Sequence, residues 1–236
     1  MFVVEGEKIV KETILFYPSR IHQLYVTERW YKNCLVTVNK EGLPEIIILK
    51  PEEIKKISSL KNAPECLAII KIIINQIDIN EISGKLLLVL DKVQDPGNLG
   101  NIIRIADWFG IHDVICSDDS ADCYNPKVLQ STMGAIMRVR IYYTKLNPLL
   151  QKLTHLPEFG IYGTFADADS VYDAELQQKG AVIIGNESKG IRKELYPHIA
   201  HKITVPSYHS KNDTIDSLNV AAATAIICSE FRRRMI

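Results

Sequence analysis

The stretch "DPGNLGNIIRIADWFG", Asp95 to Gly110, opens with two glycines and closes as an amphipathic helix. It follows the apolar run "LLLVL" at 86–90, which is typical of a buried strand. A helix that begins near Asn98 turns one apolar stripe toward that strand. The stripe consists of Leu99, Ile102, Ile103 and Ala106. The stretch therefore predicts a strand, turn and helix unit of an α/β protein.

The rest of the chain from Lys85 onward repeats this alternation of short apolar runs and helical segments. Strands are predicted near 86–90, 113–116, 160–165, 181–184 and 203–205. Such alternation predicts a mainly parallel sheet covered by helices on both faces. Ligands of such sheets gather at the carboxyl ends of the strands.

The first 75 or so residues predict a separate, small α/β unit. Helices are expected over "GEKIVKETILFY" and "PEEIKKISSL", and strands over "QLYV", "CLVTV" and "EIIIL". The mostly polar segment "NQIDINEISGK", 75–85, separates this unit from the remainder. We expect one domain at 1–78 and a second at 84–236.

Composition narrows the class of protein. The 28 Lys and Arg residues equal the 28 Asp and Glu residues, so a nucleic acid could bind only at a local patch. Five cysteines without a CxxC pair favour a reducing, cytoplasmic setting. No apolar run approaches the roughly 20 residues that span a bilayer, so no membrane partner is expected. His198 and His201 lack further ligands in a zinc pattern, and no metal is expected.

Two later segments also place small residues where a helix should begin after a strand. They are "GNESKGI" after "AVII" and "SLNVAAATAII" a little after "ITVP". A Walker phosphate loop is excluded because Ile191 and Arg192 stand where Lys and Ser/Thr are required. The dinucleotide fingerprint GxGxxG is absent, since Gly97 and Gly100 give only GxxG. An oxidoreductase therefore has no fingerprint in its favour.

Gly97, Gly100 and Arg104 are predicted to share a helix face, because offsets of four and seven residues return to nearly the same direction. Glycine costs roughly 1 kcal/mol relative to alanine inside a helix. Gly100 therefore requires the close approach of a ligand or of another backbone. We expect the two glycines to clear a path to the Arg104 guanidinium, although Arg104 could also be an ordinary solvated charge.

Other polar residues of the chain can be interpreted either as part of a binding site or as structural residues. Asn186 either belongs to a binding loop or stabilises an ordinary turn. Ser217 is a plausible helix cap, with Asn219 at the mouth of the site. The run Arg232 to Arg234 either contacts nucleic acid or forms a basic helix end.

Taken together, the three segments resemble, in order and spacing, the three motifs of the SpoU (TrmH-like) RNA methyltransferases of the SPOUT superfamily. The resemblance covers about 84–236. It implies S-adenosyl-L-methionine as methyl donor, a ribose 2′-hydroxyl of RNA as acceptor, a C-terminal trefoil knot and a homodimer. The opening "FVVEGEKIVKETI" is similar to a small substrate-binding domain related to kink-turn-binding ribosomal proteins, which implies ribosomal RNA. Transfer RNA, or an RNA-binding module with a vestigial pocket, are the alternatives.

The resemblance also assigns residues. It implies a cofactor pocket formed by Thr164, Gly185, Asn186, Glu187, Val205, Leu218 and Asn219. It implies a catalytic group of Asn98, Arg104, Glu187, Ser217 and Asn219. The loop at 207–216 is longer than the usual spacing and lacks the family's glycine.

Chemistry suggests how three of these residues divide the work. A guanidinium with a pKa above about 12 is a poor base. Arg104 is therefore expected to hold an RNA phosphate and to stabilise the developing alkoxide. Asn98 is expected to orient the hydroxyl, and Glu187 is the candidate proton acceptor.

Overall fold

The computed structural model describes residues 1–35, 42–208 and 218–234. In these ranges the chain forms two sheets with flanking helices. The strands are β1 (Phe2–Glu5), β2 (Ile21–Thr27), β3 (Ile46–Leu49), β4 (Cys66–Ile70), β5 (Leu86–Leu90), β6 (Asp113–Ser117), β7 (Arg140–Thr144), β8 (Gly160–Ser170), β9 (Gly180–Ile184) and β10 (His201–Thr204). The α-helices are α1 (Glu7–Phe16), α2 (Glu28–Trp30), α3 (Pro51–Ile57), α4 (Ile79–Ile82), α5 (Pro96–Trp108), α6 (Pro126–Thr132), α7 (Leu146–Leu153) and α8 (Val220–Arg233). Turns of 3₁₀ helix span Pro18–Arg20, Ala135–Met137 and Lys193–His198, and a π-helical turn spans Tyr31–Leu35.

The N-terminal sheet has the order β1-β4-β2-β3. Strand β4 runs antiparallel to β1 and β2, whereas β2 and β3 are parallel. The predicted helices are confirmed as α1 and α3, and the strands predicted over "QLYV" and "EIIIL" are confirmed as β2 and β3. Strands β1 and β4 were not predicted. The unit is therefore a mixed sheet.

The strand predicted over "CLVTV" is wrong for Cys34 and Leu35, which end the π-helical turn; residues 36–38 lie outside the described residues. The Thr27 hydroxyl accepts a hydrogen bond from Trp30 N at 3.2 Å and starts a helical turn there. Trp30 is buried. A side-chain cap and one buried aromatic outweigh the strand-like apolar pattern that follows.

The second sheet has the order β10-β8-β9-β5-β6-β7, and each described pair of neighbours is parallel. The predicted α/β class with a parallel sheet is confirmed, as are the strands predicted near 86–90, 113–116, 160–165, 181–184 and 203–205. Strand β7 was missed. Its sequence "RIYYT" mixes polar and aromatic residues because it lies at the sheet edge.

Helices cover both faces of this sheet, and alternate residues of β5 show the division. Leu86, Leu88 and Leu90 pack in a core shared with α5, α6 and α8, whereas Leu87 and Val89 face α7. The predicted apolar stripe of α5 is confirmed, since all four of its side chains are buried. The first core also contains residues of the N-terminal sheet such as Val4 and Leu24. The trefoil knot stays a prediction.

The pairing of β8 with β10 is interrupted. Lys202 pairs with Gly163, but the next residue, Ile203, pairs with Asp169. Residues 164–168 therefore leave the ladder at the carboxyl end of the sheet. Among the described residues, no helix combines the length and apolar character needed to cross a membrane.

Candidate active site

Three polar side chains connect the three predicted segments at one end of the parallel sheet. Asn98 lies in the first turn of α5, Glu187 follows β9, and Asn219 directly precedes α8. Asn98 Nδ2 donates to Glu187 Oε1 at 2.9 Å, and Asn219 Nδ2 donates to Asn98 Oδ1 at 3.1 Å. We name Glu187, Asn98 and Asn219 the site triad. Its members come from distant parts of the chain and meet because the preceding strands end at the same edge.

The start of α5 positions Asn98. Asp95 is the N-cap, and its carboxylate accepts a hydrogen bond from Asn98 N at 2.8 Å. Pro96 occupies the first helical position, which its fixed φ favours. The helix thus begins two residues before the predicted Asn98.

The loop after β9 is ordered by its own side chains. Asn186 Oδ1 accepts from Ser188 N and Lys189 N, each at 3.1 Å, and its Nδ2 donates to Lys92 O at 2.8 Å. The interpretation of Asn186 as a turn-stabilising residue therefore holds. A Cβ on Gly185 would lie 2.4 Å from the backbone at Gly190, so this glycine permits two backbone segments to pass closely.

An ion pair between the buried Asp91 and the half-buried Arg192, which sequence reasoning missed, fixes the other end of this loop. Asp91, fully buried after β5, accepts from Arg192 N at 2.7 Å and from Arg192 Nε at 2.6 Å. Burial on its own lowers the pKa of Arg192, but the hydrogen bond and charge of Asp91, with Asp119 and Glu194, raise it above the usual value. The signal was available: a carboxylate directly after an apolar strand requires a partner.

Asn219 also caps α8. Its Oδ1 accepts from Ala221 N at 2.9 Å and Ala222 N at 3.3 Å. The cap predicted for Ser217 is wrong, because the helix starts at Val220 and the cap position belongs to Asn219. Ser217 itself lies outside the described residues.

Arg104 is exposed in a groove between α5 and α8. The groove has a volume of about 560 Å³, and Asn219 also lines it, as do Asn101 and Trp108. No hydrogen bond or ion pair ties Arg104 to the described part of the chain. The guanidinium is thus available for an anion beside the site triad.

The prediction that Gly100 leaves bare backbone open toward Arg104 is wrong. Gly100 is buried, and a Cβ there would lie 2.4 Å from Ser131 Cβ and 2.7 Å from Val128 O of α6. A glycine is required at position 100 because the backbone of α6 passes close to it. Of the two expected causes, a ligand or another backbone, the second is therefore the correct one. Gly97, by contrast, is half-buried, and the nearest atoms that a Cβ there would meet belong to the Asp95 and Lys127 side chains.

Comparison with known proteins now decides the family. The sequence profile of the SpoU rRNA Methylase family matches residues 85–229, which include every member of the site triad and Arg104. The chain belongs to this family. The SpoU resemblance of the three motifs is thereby confirmed.

Relatives of this SpoU chain are named as ribosomal RNA enzymes. The 23S rRNA (guanosine-2′-O-)-methyltransferase RlmB of Neisseria meningitidis is 33% identical over 154 residues, 64% of this chain. That alignment spans 59% of the RlmB length. The 23S rRNA (guanosine(2553)-2′-O)-methyltransferase RlmP of Bacillus subtilis is 27% identical over 232 residues, which cover 98% of this chain and 88% of RlmP.

Solved structures share the fold over the whole SpoU chain. A Porphyromonas gingivalis protein described as an RNA methyltransferase of the TrmH family is 36% identical, with a TM-score of 0.85 over 99% of this chain and 90% of its own. The SpoU methyltransferase AviRb of Streptomyces viridochromogenes, solved with AdoMet, has a TM-score of 0.82 over the same shares at 24% identity, a likeness of fold alone.

The remaining predicted pocket residues of the SpoU chain lie after neighbouring strands or beside α8. Thr164 is the first residue to leave the ladder of β8, and its hydroxyl donates to Ile183 O at 3.1 Å. Val205 follows β10 and packs partly against the core. Leu218 is 50% exposed, next to Asn219. Because the parallel strands β10, β8 and β9 are adjacent, Thr164, Gly185 and Val205 lie close to one another at the carboxyl ends of these strands.

Proposed function

We propose that this protein transfers a methyl group from S-adenosyl-L-methionine to a ribose 2′-hydroxyl of ribosomal RNA. The observation that carries the proposal is the site triad together with an unengaged Arg104, which lies in the groove that Asn219 also lines. Membership of the SpoU rRNA methylase family and relatives named as 23S rRNA 2′-O-methyltransferases support it.

The residues present fit the cofactor. S-adenosyl-L-methionine needs apolar surface for its adenine and polar backbone for its ribose and amino acid parts. Val205 and Leu218 offer partly exposed apolar side chains, and residues 164–168 of β8 leave the ladder with β10, the strand that Val205 follows. We propose that Thr164, Gly185 and Asn186 complete the pocket through their strand-end backbone. When bound, the sulfonium supplies an electrophilic methyl group.

Asn98 has the hydrogen-bonding capacity to orient the acceptor. An amide side chain has two N–H groups and two lone pairs. The site triad uses one of each, because Asn98 donates to Glu187 and accepts from Asn219. One N–H and one lone pair are left for the 2′-hydroxyl.

Glu187 accepts the proton of the 2′-hydroxyl, and Arg104 stabilises the negative charges of the RNA. The Glu187 carboxylate is held by Asn98 and by Asn186 Nδ2 at 3.3 Å, which aims it as the proton acceptor. Arg104 binds an RNA phosphate and stabilises the developing alkoxide, a role that suits its planar fork of donors. Asn219 positions Asn98 and the start of α8. Ser217 remains a predicted member of the catalytic group.

The two units are proposed to divide recognition and chemistry. Residues 1–78 bind ribosomal RNA in the manner of kink-turn-binding ribosomal proteins, and 84–236 carry the methyl-transfer site. The five cysteines are free thiols, which is typical of a reducing compartment, and we place the enzyme in the cytoplasm.

We also propose that the enzyme is a homodimer. Trp108 in the groove is 84% exposed, although tryptophan gains much from burial. A second copy seated on the groove would cover it and bring a further surface to Arg104. Analytical sedimentation tests the proposed dimer. We expect the wild type to sediment as a dimer and Trp108→Lys to sediment as a monomer. A wild type that sediments as a monomer contradicts the proposal.

The main experiment uses unmodified transcripts of the organism's own ribosomal RNA with radiolabelled S-adenosyl-L-methionine. We expect methylation of a ribose by the wild type and a loss of about 10²-fold or more in Arg104→Ala. Calorimetry should show cofactor affinity unchanged in the variant. Lys152→Ala, exposed on the opposite face at α7, is the matched control.

Two outcomes count against the proposal. A wild type that binds RNA but neither binds S-adenosyl-L-methionine nor methylates RNA favours the alternative, an RNA-binding module with a vestigial pocket. Full activity in Arg104→Ala removes Arg104 from the mechanism. Mapping ribose methylation across cellular RNA, with and without the protein, then identifies the nucleotide through the site that is lost.

A further inference from the structure

A second group of three polar residues joins the N-terminal unit to α5. Arg138 Nε donates to Asp107 Oδ1 at 3.0 Å and to Oδ2 at 2.9 Å, and its Nη2 donates to Oδ2 at 2.7 Å. Its Nη1 forms an ion pair with Glu12 of α1. We name Glu12, Arg138 and Asp107 the junction triad. One guanidinium thus bridges the first helix of the chain and the helix that carries Asn98 and Arg104.

The junction triad is mostly shielded from solvent. The side chains of Arg138, Asp107 and Glu12 are 32%, 19% and 21% exposed. Ion pairs in such surroundings are screened by salt much less than exposed ones. The bidentate contact with Asp107 also fixes the direction of the guanidinium.

The backbone beside Arg138 is shaped to meet α1. Met133 and Gly134, with φ of 50° and 95°, make two consecutive left-handed residues after α6. The φ of Gly134 favours glycine, and a Cβ there would lie 2.9 Å from Glu12 Oε2, so the backbone comes close to this carboxylate. The turn therefore brings the chain directly onto the carboxylate that pairs with Arg138.

Apolar contacts extend the same junction. The rings of Phe2 in β1 and Tyr124, just before α6, lie 4.8 Å apart. Val4 and Val10 of the N-terminal unit belong to the same core as Val128. The N-terminal sheet is consequently packed against the second unit and is more than a tethered module.

Asp107 lies three residues after Arg104 on α5, about 4.5 Å along the helix axis. Any RNA held by the N-terminal unit is therefore held at a fixed offset from Arg104. We propose that the Glu12–Arg138 ion pair is a positioning device that determines which ribose is methylated. This inference rests on the proposed function.

Glu12→Gln tests the inference because it keeps the shape of the side chain and removes only the ion pair between the units. Glu28→Gln, which breaks the exposed pair with Lys32 in the same unit, is the matched control. Glu12→Lys, which places a second cation beside Arg138, should give a larger effect. The Asp107 contact remains intact in all three variants.

The readouts separate positioning from general stability. On full-length ribosomal RNA we expect Glu12→Gln to lower kcat/KM by about tenfold, since small displacements of a substrate have large effects on rate. Methylation should spread to additional riboses, and kcat at saturating RNA should fall because the displaced ribose is no longer aligned. Cofactor affinity should stay within about twofold of wild type. Glu28→Gln should keep the wild-type methylation map.

Hydrogen exchange of residues 133–138 in the same variants reports on the junction itself, and we expect faster exchange in Glu12→Gln and Glu12→Lys. Unchanged exchange overturns the inference. An unchanged methylation map with unchanged kcat/KM overturns it as well. A wild type that methylates no RNA is a distinct result, because it removes the proposed function and this inference with it.

Discussion

The site triad and the junction triad each join three segments that are far apart in sequence, but they use different chemistry. Two of the three side chains in the site triad are neutral amides, and Glu187 and Asn219 are exposed. The junction triad is a guanidinium between two carboxylates, all largely shielded from solvent. Each amide keeps a spare N–H donor, and Asn98 also keeps a spare lone pair, whereas Arg138 already contacts both carboxylates. The first arrangement suits groups that must also bind a substrate, and the second suits a contact that must not move.

The largest expected effect comes from the site triad. Asn98→Ala removes both hydrogen bonds of the triad, and we expect kcat for RNA methylation to fall about 10²-fold or more, as for the loss of an oriented donor in other active sites. Because Asn98 is partly solvated, the free energy of unfolding should change by only about 1 kcal/mol. Single-turnover methylation and urea denaturation measure the two quantities.

Asn80→Ala, an exposed position on α4 outside the site, serves as the control and should leave the rate unchanged. A rate for Asn98→Ala close to that of this control would mean that the site triad is an ordinary loop contact.

The junction triad should show the reverse pattern, with a large change in stability. Arg138→Met leaves Glu12 and Asp107 without their shared cation, and we expect the free energy of unfolding to fall by about 2–3 kcal/mol, less than for fully buried pairs because some solvent reaches the group. Urea denaturation measures it. Arg29→Met, in an exposed pair with Glu65, should cost no more than about 0.5 kcal/mol. Equal losses in the two variants would refute the distinction between junction and surface.

The residues of the site triad could be predicted from the sequence, whereas those of the junction triad could not. Apolar runs predict parallel strands, and segments that follow neighbouring strands lie at the same end of the sheet, so the three segments could be expected to share a site. The resemblance to the SpoU family then named Asn98, Glu187 and Asn219 within those segments. Glu12, Asp107 and Arg138 stand in no motif. Their meeting depends on how α1 packs against the turn at Met133 and Gly134, which is a tertiary contact that local patterns do not encode.

The same limit applied to single residues. The cost of glycine in a helix showed that Gly100 has a close neighbour, but only the packing of α6 shows which one. In the run Arg232 to Arg234, two side chains bind backbone: Arg232 donates to Phe109 O at 2.7 Å and Arg234 to Tyr172 O at 2.5 Å. Contact of this run with nucleic acid stays a prediction. Helix ends were predictable to about two residues, and α8 was misplaced because Ser217 and Asn219 are both good caps.

A pair of alanine substitutions separates packing from binding on α5. Gly100→Ala should lower the free energy of unfolding by about 1–3 kcal/mol, because its Cβ would meet α6 backbone that cannot easily shift. Gly97→Ala should be nearly neutral, since its nearest contact is the Asp95 side chain at 3.0 Å. Thermal denaturation compares them. If Gly100→Ala is as stable as the wild type but binds RNA less tightly, Gly100 is needed for the approach of a ligand and not for packing against α6.

The smallest effect is expected for Glu230, an ion-paired carboxylate outside the junction triad, and it concerns how stability depends on pH. Hydrogen bonds from Arg233 and Arg234 lower the pKa of Glu230 to about 2, from a usual value of 4.5. A carboxyl with a lowered pKa in the folded state stabilises the fold above its unfolded pKa, and this contribution is lost as pH falls through the folded pKa. We expect the difference in unfolding free energy between wild type and Glu230→Gln to be equal at about pH 7 and pH 5 and to shrink steadily toward about pH 2. Denaturant titrations across this range measure it. A difference that does not change with pH would mean that Glu230 stabilises α8 by packing alone, since only the charged form depends on the two arginines.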